Sequence, residues 1–366
     1  MRVSLDRWVD AVWYGDGAGA VAARAALAPF AAAFGVVAGA RGRLYDAGLL
    51  HARALPVPAI GVGNLTVGGT GKTPVAAWLV RELAARGTHP AVLLRGVGDD
   101  EARVHALLNP DAPVVADPDR VRGAGAAVRH GADVLVLDDA FQHRRAARDA
   151  DVVLVAAETF AVRARFLPAG PYRESLSALG RARVVVVTRK AAPLLDARAV
   201  ASRLERLVVQ GGGGVVVAHL APDALECWGG AVPERVERLA GTRVLAVAGV
   251  GAPDAFAAQL RDAGASVSLA RFPDHHAYDD ADVGRIIAAA RDVDRVVTTL
   301  KDAVKLGPRW PPHAAALWYV TQRVTLEAGA SALVDVVDAV ATAARTAAAR
   351  LPHRTVSDPA ARGRHA

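Results

Sequence analysis

The segment "GNLTVGGTGKTP", residues 63–74, constrains this chain more than any other stretch of it. It stands between an apolar run, "VPAIGVGNL" at 57–65, and an apolar-periodic stretch from about Thr73 to Ala85. Strand, glycine-rich turn and helix, in that order, build a phosphate-binding loop. Gly68, Gly69 and Gly71, with Thr70 among them, let the backbone curl until several N–H groups point at one anion. The helix N-terminus adds roughly half a positive charge. Lys72 is expected to reach the β- and γ-phosphates of ATP, and the Thr73 hydroxyl to ligate Mg²⁺. Pro74 suits the first turn of a helix, where no N–H is needed. One position departs from the usual pattern: Thr66 stands where a glycine is expected.

Further apolar runs at 91–95, 134–138, 152–156 and 184–188 have helical or loop segments between most of them. Strands apolar on both faces and separated by helices predict a mostly parallel sheet covered on both sides. After "QGGGG" at 210–214, a second α/β pattern begins near Thr242. It reads as a strand and turn, a helix opened by Pro253, and strands at "SVSLARF" and "DRVVTTL". The fold class is therefore α/β: a P-loop core with a mostly parallel sheet, a second α/β lobe and an N-terminal helical segment. The expected divisions are 1–50 for that segment, 51–225 for the core, 226–346 for the second lobe and 347–366 for a disordered basic tail.

A P-loop enzyme needs a carboxylate at the end of a neighbouring strand for its Mg²⁺. "DVLVLDDAFQH" supplies Asp138 and Asp139 after four apolar residues. If both continue the strand, alternation turns their side chains to opposite faces, and only one readily faces the metal.

Composition narrows the partners. A single cysteine, Cys227, excludes an intramolecular disulfide or thiolate metal cluster. The net charge of +7 fits an attraction to phosphates or phospholipid. Basic runs interleaved with aromatics and zinc-finger spacings are both missing, so nucleic acid is not expected. Residues 25–40, "AALAPFAAAFGVVAGA", carry no charge. They fall short of the roughly 20 apolar residues a spanning helix needs and contain Pro29, so a packed or membrane-interfacial helix is expected. Asp6, Asp10 and Asp16 argue against a signal peptide.

Six segments in order, "GNLTVGGTGKTP", "LRGVGDDE", "DDAFQH", "LPAGPYRE", "FPDHHAY" and "TLKDAVK", resemble the tetraacyldisaccharide 4′-kinase (lipid A 4′-kinase) family over roughly residues 40 to 325. The resemblance implies transfer of the γ-phosphate of ATP to the 4′-hydroxyl of a lipid-linked disaccharide 1-phosphate, giving lipid IVA in lipid A biosynthesis. It implies a P-loop kinase core with a second, smaller α/β lobe, and peripheral contact with the cytosolic face of the inner membrane, and a monomer is expected. It also implies roles for residues. Asp100 matches the catalytic aspartate, with Asp99 as the alternative register. His275 assists as its partner, and Asp274 orients the imidazole. Arg173 and Glu174 border the nucleotide and metal. Lys301 and Asp302 either serve the cleft or cap a helix, and Arg95 contacts a phosphate. The chain departs from the family at Leu94, Val97, Ala140 and Leu300, which bears on acceptor choice more than on phosphate chemistry. The competing reading is another P-loop NTPase or kinase acting on a different acceptor.

Overall fold

The structure, a computed structural model, describes residues 5–96, 100–161, 165–230, 232–274 and 276–350. Two helices come first, α1 (Leu5–Tyr14) and α2 (Ala18–Asp46). The core follows as β1 (Ala59–Asn64), α3 (Lys72–Ala85), β2 (Pro90–Leu94), α4 (Asp100–Leu108), β3 (Val114–Ala116), α5 (Arg120–Arg129), β4 (Val134–Leu137), β5 (Ala150–Ala156), β6 (Val184–Arg189) and α6 (Leu194–Val209). A long strand, β7 (Gly214–Cys227), leads out to β8 (Glu234–Arg235), β9 (Arg243–Ala248), α7 (Pro253–Asp262), β10 (Ser266–Arg271), α8 (Asp280–Ala289), β11 (Arg295–Thr299) and α9 (Leu300–Leu306). A second long strand, β12 (Leu317–Ala328), returns, and α10 (Ala330–Arg350) closes the described chain.

All strands join one sheet, ordered β10-β9-β11-β12-β7-β6-β5-β1-β4-β2-β3, with β8 on β7. Neighbours on either side of the centre pair in parallel, whereas β7 and β12 pair with each other antiparallel. Two parallel sheets are thus fused through an antiparallel ribbon. The strands β1, β2 and β4 are buried along their whole length, because helices cover both faces. Leu79 and Leu83 of α3 and Val337 and Ala341 of α10 pack on one face, with Ile60, Val136 and Val186. Leu204 and Val208 of α6 pack on the other, with Val153, Val185 and Phe141. Each fully buried Val or Leu contributes about 1.5–3 kcal/mol to holding these layers together.

Three expectations about the outline are corrected. The boundary at 225–226 falls inside β7, an uninterrupted strand. Residues 330–346, expected in the second lobe, form α10 and pack on the first core, because β12 carries the chain back there. Helix α10 also runs to Arg350, past the expected start of the tail at 347. The rest of that tail lies outside the described residues. The uncharged stretch at 25–40 sits within the 29-residue α2, which is long and apolar enough to cross a membrane by length and composition.

Candidate active site

Strand β1 ends at Asn64, and the chain turns through residues 65–71 into α3. Gly68 has φ of 120° and Gly71 of 84°, so both occupy the left-handed half of backbone space. At Gly71 a Cβ would also lie 2.2 Å from Leu220 Cδ1. Among the described residues only Asp139 combines a side chain with positive φ, so Thr66 keeps an ordinary backbone. Thr66 lies instead in an isolated antiparallel bridge with Tyr172. Its lack of a glycine therefore leaves the loop unstrained. The buried Asn64 amide donates to Thr70 Oγ1 (2.9 Å), and Thr188 Oγ1 at the end of β6 donates to the Thr70 carbonyl (2.9 Å). Two strand ends thus hold the loop.

The carboxylates after β4 depart from the alternation expected for a strand. The strand stops at Leu137, and Asp139 takes a left-handed turn with φ of 48°. Asp138 is buried: its Oδ2 lies 3.0 Å from His105 Nε2, and its Oδ1 accepts from the Asp139 N–H at 2.8 Å. Arg120, itself buried, donates from Nη2 to the Asp138 carbonyl (3.1 Å) and fixes the turn. Burial pulls Arg120 down to about 10. Burial opposes ionisation of Asp138, but the His105 hydrogen bond and the charges of His105 and Lys72 outweigh it and hold its carboxyl below the usual range.

Asp139 faces the loop. Its Oδ1 is 3.5 Å from Lys72 Nζ, and Arg173 forks onto both of its oxygens at 3.1 and 3.3 Å. Arg173 also donates to Asn64 Oδ1. Burial would raise the Asp139 pKa, but Lys72 and Arg173 together bring it down to about 2. Burial lowers Lys72 from its ordinary value, against the pull of Asp139 and Asp138. Lysine, aspartate and arginine therefore form one charged line beside the phosphate loop.

These groups border a cleft of about 380 Å³. Residues 66–74, Asp139 and Arg173 form one side; Val250–Ala252, Asp274, Leu300 and Lys301 of the second lobe form the other. A Cβ on Gly251 would lie 3.7 Å from the Gly69 nitrogen, so the lobes meet at the loop. The structure thus brings Gly68, Gly69, Thr70, Gly71, Lys72, Thr73, Asp139 and Arg173 to one cleft. It does not bring Glu174, which accepts from Arg181 Nη2 (2.8 Å) and is not part of the cleft lining. In this structure the Glu174 carboxylate, expected at the metal, is engaged by Arg181. Asp138 is likewise behind the lining rather than in it. Asp100 opens α4, and its carboxylate lies 4.0 Å from Lys305 Nζ of the second lobe. His275, Asp99 and Val97 lie outside the described residues. Of the sequence neighbours of His275, Asp274 lines the cleft, whereas His276 Nε2 is 2.7 Å from Asp282 Oδ2.

Sequence reading missed Lys190, Glu101 and Gln259, all in the cleft lining. Lys190 follows β6 and donates to the Gly69 carbonyl (3.0 Å). Its position past the carboxyl end of a parallel strand, where such sheets bind ligands, was the available signal. Gln259 is buried on α7 and donates to the Leu220 carbonyl (2.8 Å); no sequence pattern marks it.

Residues 23–341 match the family model described as tetraacyldisaccharide-1-P 4′-kinase. The chain belongs to that family. A tetraacyldisaccharide 4′-kinase from Halorhodospira halophila is 37% identical over 340 residues, spanning 88% of this chain and 93% of that protein. One from Anaeromyxobacter sp. strain Fw109-5 is 40% identical over 331 residues, spanning 82% and 88%. A crystal structure of LpxK from Aquifex aeolicus in complex with ATP superposes with a TM-score of 0.67 at 26% identity, covering 87% of this chain and 99% of that one. The family's shared P-loop kinase fold is the one described above.

Proposed function

We propose that this chain transfers the γ-phosphate of ATP to the 4′-hydroxyl of a tetraacylated disaccharide 1-phosphate. The observation that carries the reading is the line Lys72–Asp139–Arg173 beside the phosphate loop, in a cleft closed by the second lobe. Phosphoryl transfer asks chiefly for positioning and charge neutralisation. The loop amides and Lys72 hold the β- and γ-phosphates. On nucleotide binding, Lys72 exchanges Asp139 for phosphate oxygens, which leaves the Asp139 carboxylate for the metal shell. Arg173 steers that carboxylate and adds positive charge. Among the described residues no group of three or more His, Cys, Asp or Glu side chains makes a protein cage for a metal. A carboxylate and a hydroxyl beside the phosphate loop fit Mg²⁺, which keeps waters and phosphate oxygens and takes only one or two protein ligands. Thr73 and Asp139 would hold it, with Asp138 orienting the turn behind. Once bound, Mg²⁺ neutralises charge on the phosphates.

Asp100 is the proposed base for the sugar hydroxyl, paired with His275. The exposed side chains of Phe30, Val36 and Val37 on α2, with Trp8 on α1, would seat the enzyme on the cytosolic face of the inner membrane. There they would bring the cleft to a lipid acceptor.

The test is ADP release by the full chain in detergent micelles with a tetraacyldisaccharide 1-phosphate. Acceptor-dependent turnover is expected, and Lys72→Ala should lower kcat by about 10²–10³-fold, as removal of a transition-state charge partner does. Turnover that ignores the acceptor, or survives Lys72→Ala, would sink the reading.

A further inference from the structure

Asp302 is a fully buried carboxylate with no part in the mechanism above. It lies in the first turn of α9, and four groups surround its carboxylate. Its Oδ2 accepts from the Gly249 N–H (3.0 Å) and the Thr299 hydroxyl (2.8 Å). Its Oδ1 accepts from the Tyr278 hydroxyl (3.0 Å) and lies 3.7 Å from Lys305 Nζ. These partners come from segments that build the second-lobe side of the cleft.

Gly249 precedes Val250–Ala252, the stretch that meets the phosphate loop. A Cβ at Gly249 would lie 2.9 Å from Asp302 Oδ1, 3.0 Å from the Tyr278 hydroxyl and 3.1 Å from the Pro273 carbonyl. Glycine is what lets the three segments converge there. Tyr278 ends the "FPDHHAY" segment, which carries Asp274 into the cleft. The rings of Phe272, His276 and Tyr278 contact one another at 4.9–5.0 Å between centroids, so a hold on Tyr278 is also a hold on Phe272 and His276. Lys305 then reaches from Asp302 across to Asp100, at 4.0 Å, on the opposite lobe. Next to it Lys301 and Glu101 face each other at 3.9 Å.

We propose that Asp302 and Lys305 are positioning residues for phosphoryl transfer: Asp302 fixes the second-lobe side of the cleft, and Lys305 carries that fix across to the Asp100 carboxylate. The inference rests on the function proposed above and extends it to residues that touch neither nucleotide nor acceptor. The chemistry at Asp302 is specific to a carboxylate. Each of its oxygens meets one hydroxyl, which can turn to accept, and one obligate donor, which cannot: the Gly249 N–H at Oδ2 and the Lys305 ammonium at Oδ1. An asparagine in either orientation must set its NH₂ against one of those donors.

The experiment measures kcat and KM for ATP and acceptor with the full chain in micelles. Misplacing reacting groups by about 1 Å can cost on the order of 10²-fold in rate. Lys305→Met and Asp302→Asn are each expected to lower kcat on that order, with KM for ATP within about threefold of wild type. Lys305→Arg, which keeps the charge, should recover most of the loss. In an Asp100→Asn background, Lys305→Met should cost less than about threefold more, since its effect runs through that carboxylate. A kcat for Lys305→Met within about threefold of wild type overturns the inference. So does an equal loss in both backgrounds, or a loss that Lys305→Arg leaves unrecovered. Should Asp302→Asn fail to fold, the Lys305 variants decide alone. A wild-type chain without transfer activity brings down the function and this inference together; an active wild type with silent Lys305 variants brings down only the inference.

Discussion

At Asp139 two cations, a hydrogen-bonding fork and a left-handed backbone converge on one side chain. Its folded pKa of about 2 lies below the unfolded value, so the folded protein holds this proton less tightly. The stability the group supplies is therefore complete above about pH 4 and is lost as the pH falls through about 2. The unfolding free energies of wild type and Asp139→Asn should differ most near about pH 6 and converge only below about pH 2, read from urea denaturation. Much of this residue's neighbourhood was legible beforehand. Lys72, Thr73 and the paired aspartates follow from a strand–turn–helix pattern and an apolar run that ends in charge. Which aspartate faces the cleft was not legible by alternation, because β4 ends one residue before Asp138 and a turn has no two-residue period.

At the scale of elements, the segment 165–173 is in contact with two neighbours. Trp13 on α1 donates to the Pro168 carbonyl (3.0 Å), and Phe166 packs where a Cβ on Gly35 of α2 would come within 2.8 Å. At its other end the Val67 N–H donates to the Pro171 carbonyl (2.8 Å), and the Arg173 N–H to the Leu65 carbonyl (2.7 Å). The N-terminal helices and the phosphate loop both contact this turn, and Arg41 of α2 donates to the carbonyl of Gln142, whose side chain donates to the Asn64 carbonyl. Gly35→Leu should overpack against Phe166 and cost about 1–3 kcal/mol of unfolding free energy. Gly39→Leu, on the same helix with nothing within 4 Å of its Cβ position, should cost nothing measurable. Denaturant titration of the two variants distinguishes these outcomes. Elements differed in how well the sequence announced them. Strands β1, β2, β4, β5 and β6 appear as dense apolar runs because both faces are covered. Strands β7 and β12 do not, since each mixes buried and half-exposed positions, and Pro222 and Thr321 sit at irregular register. Their pairing depends on a partner about a hundred residues away, which no local window contains.

At the scale of the whole molecule, the fused sheet makes the two lobes one hydrogen-bonded body. Val104 of α4 packs with Val304 of α9 and Tyr319 of β12, adding an apolar contact between them. Thermal unfolding should therefore be a single transition. Trp8, Trp13 and Trp78 lie on the first side and Trp228, Trp310 and Trp318 on the second. A variant with the first three replaced by Phe should give a fluorescence midpoint that coincides with the loss of helix by circular dichroism. Midpoints separated by more than about 4–8 °C, the shift that about 1 kcal/mol produces in a small domain, would show lobes that melt independently.

The second lobe leaves the core at Cys227 and re-enters at Trp318, residues directly opposite each other in the β7–β12 ribbon. The Trp228 N–H even donates to the Leu317 carbonyl (2.9 Å), so exit and entrance share a hydrogen bond. Residues 228–316 are in this sense a cassette set into an otherwise continuous phosphate-loop protein. Such a cassette can be lengthened, shortened or exchanged between lineages without rerouting the chain through the loop that grips the nucleotide. Inheritance can then vary the length of this lobe while the loop that grips the nucleotide is passed on unchanged.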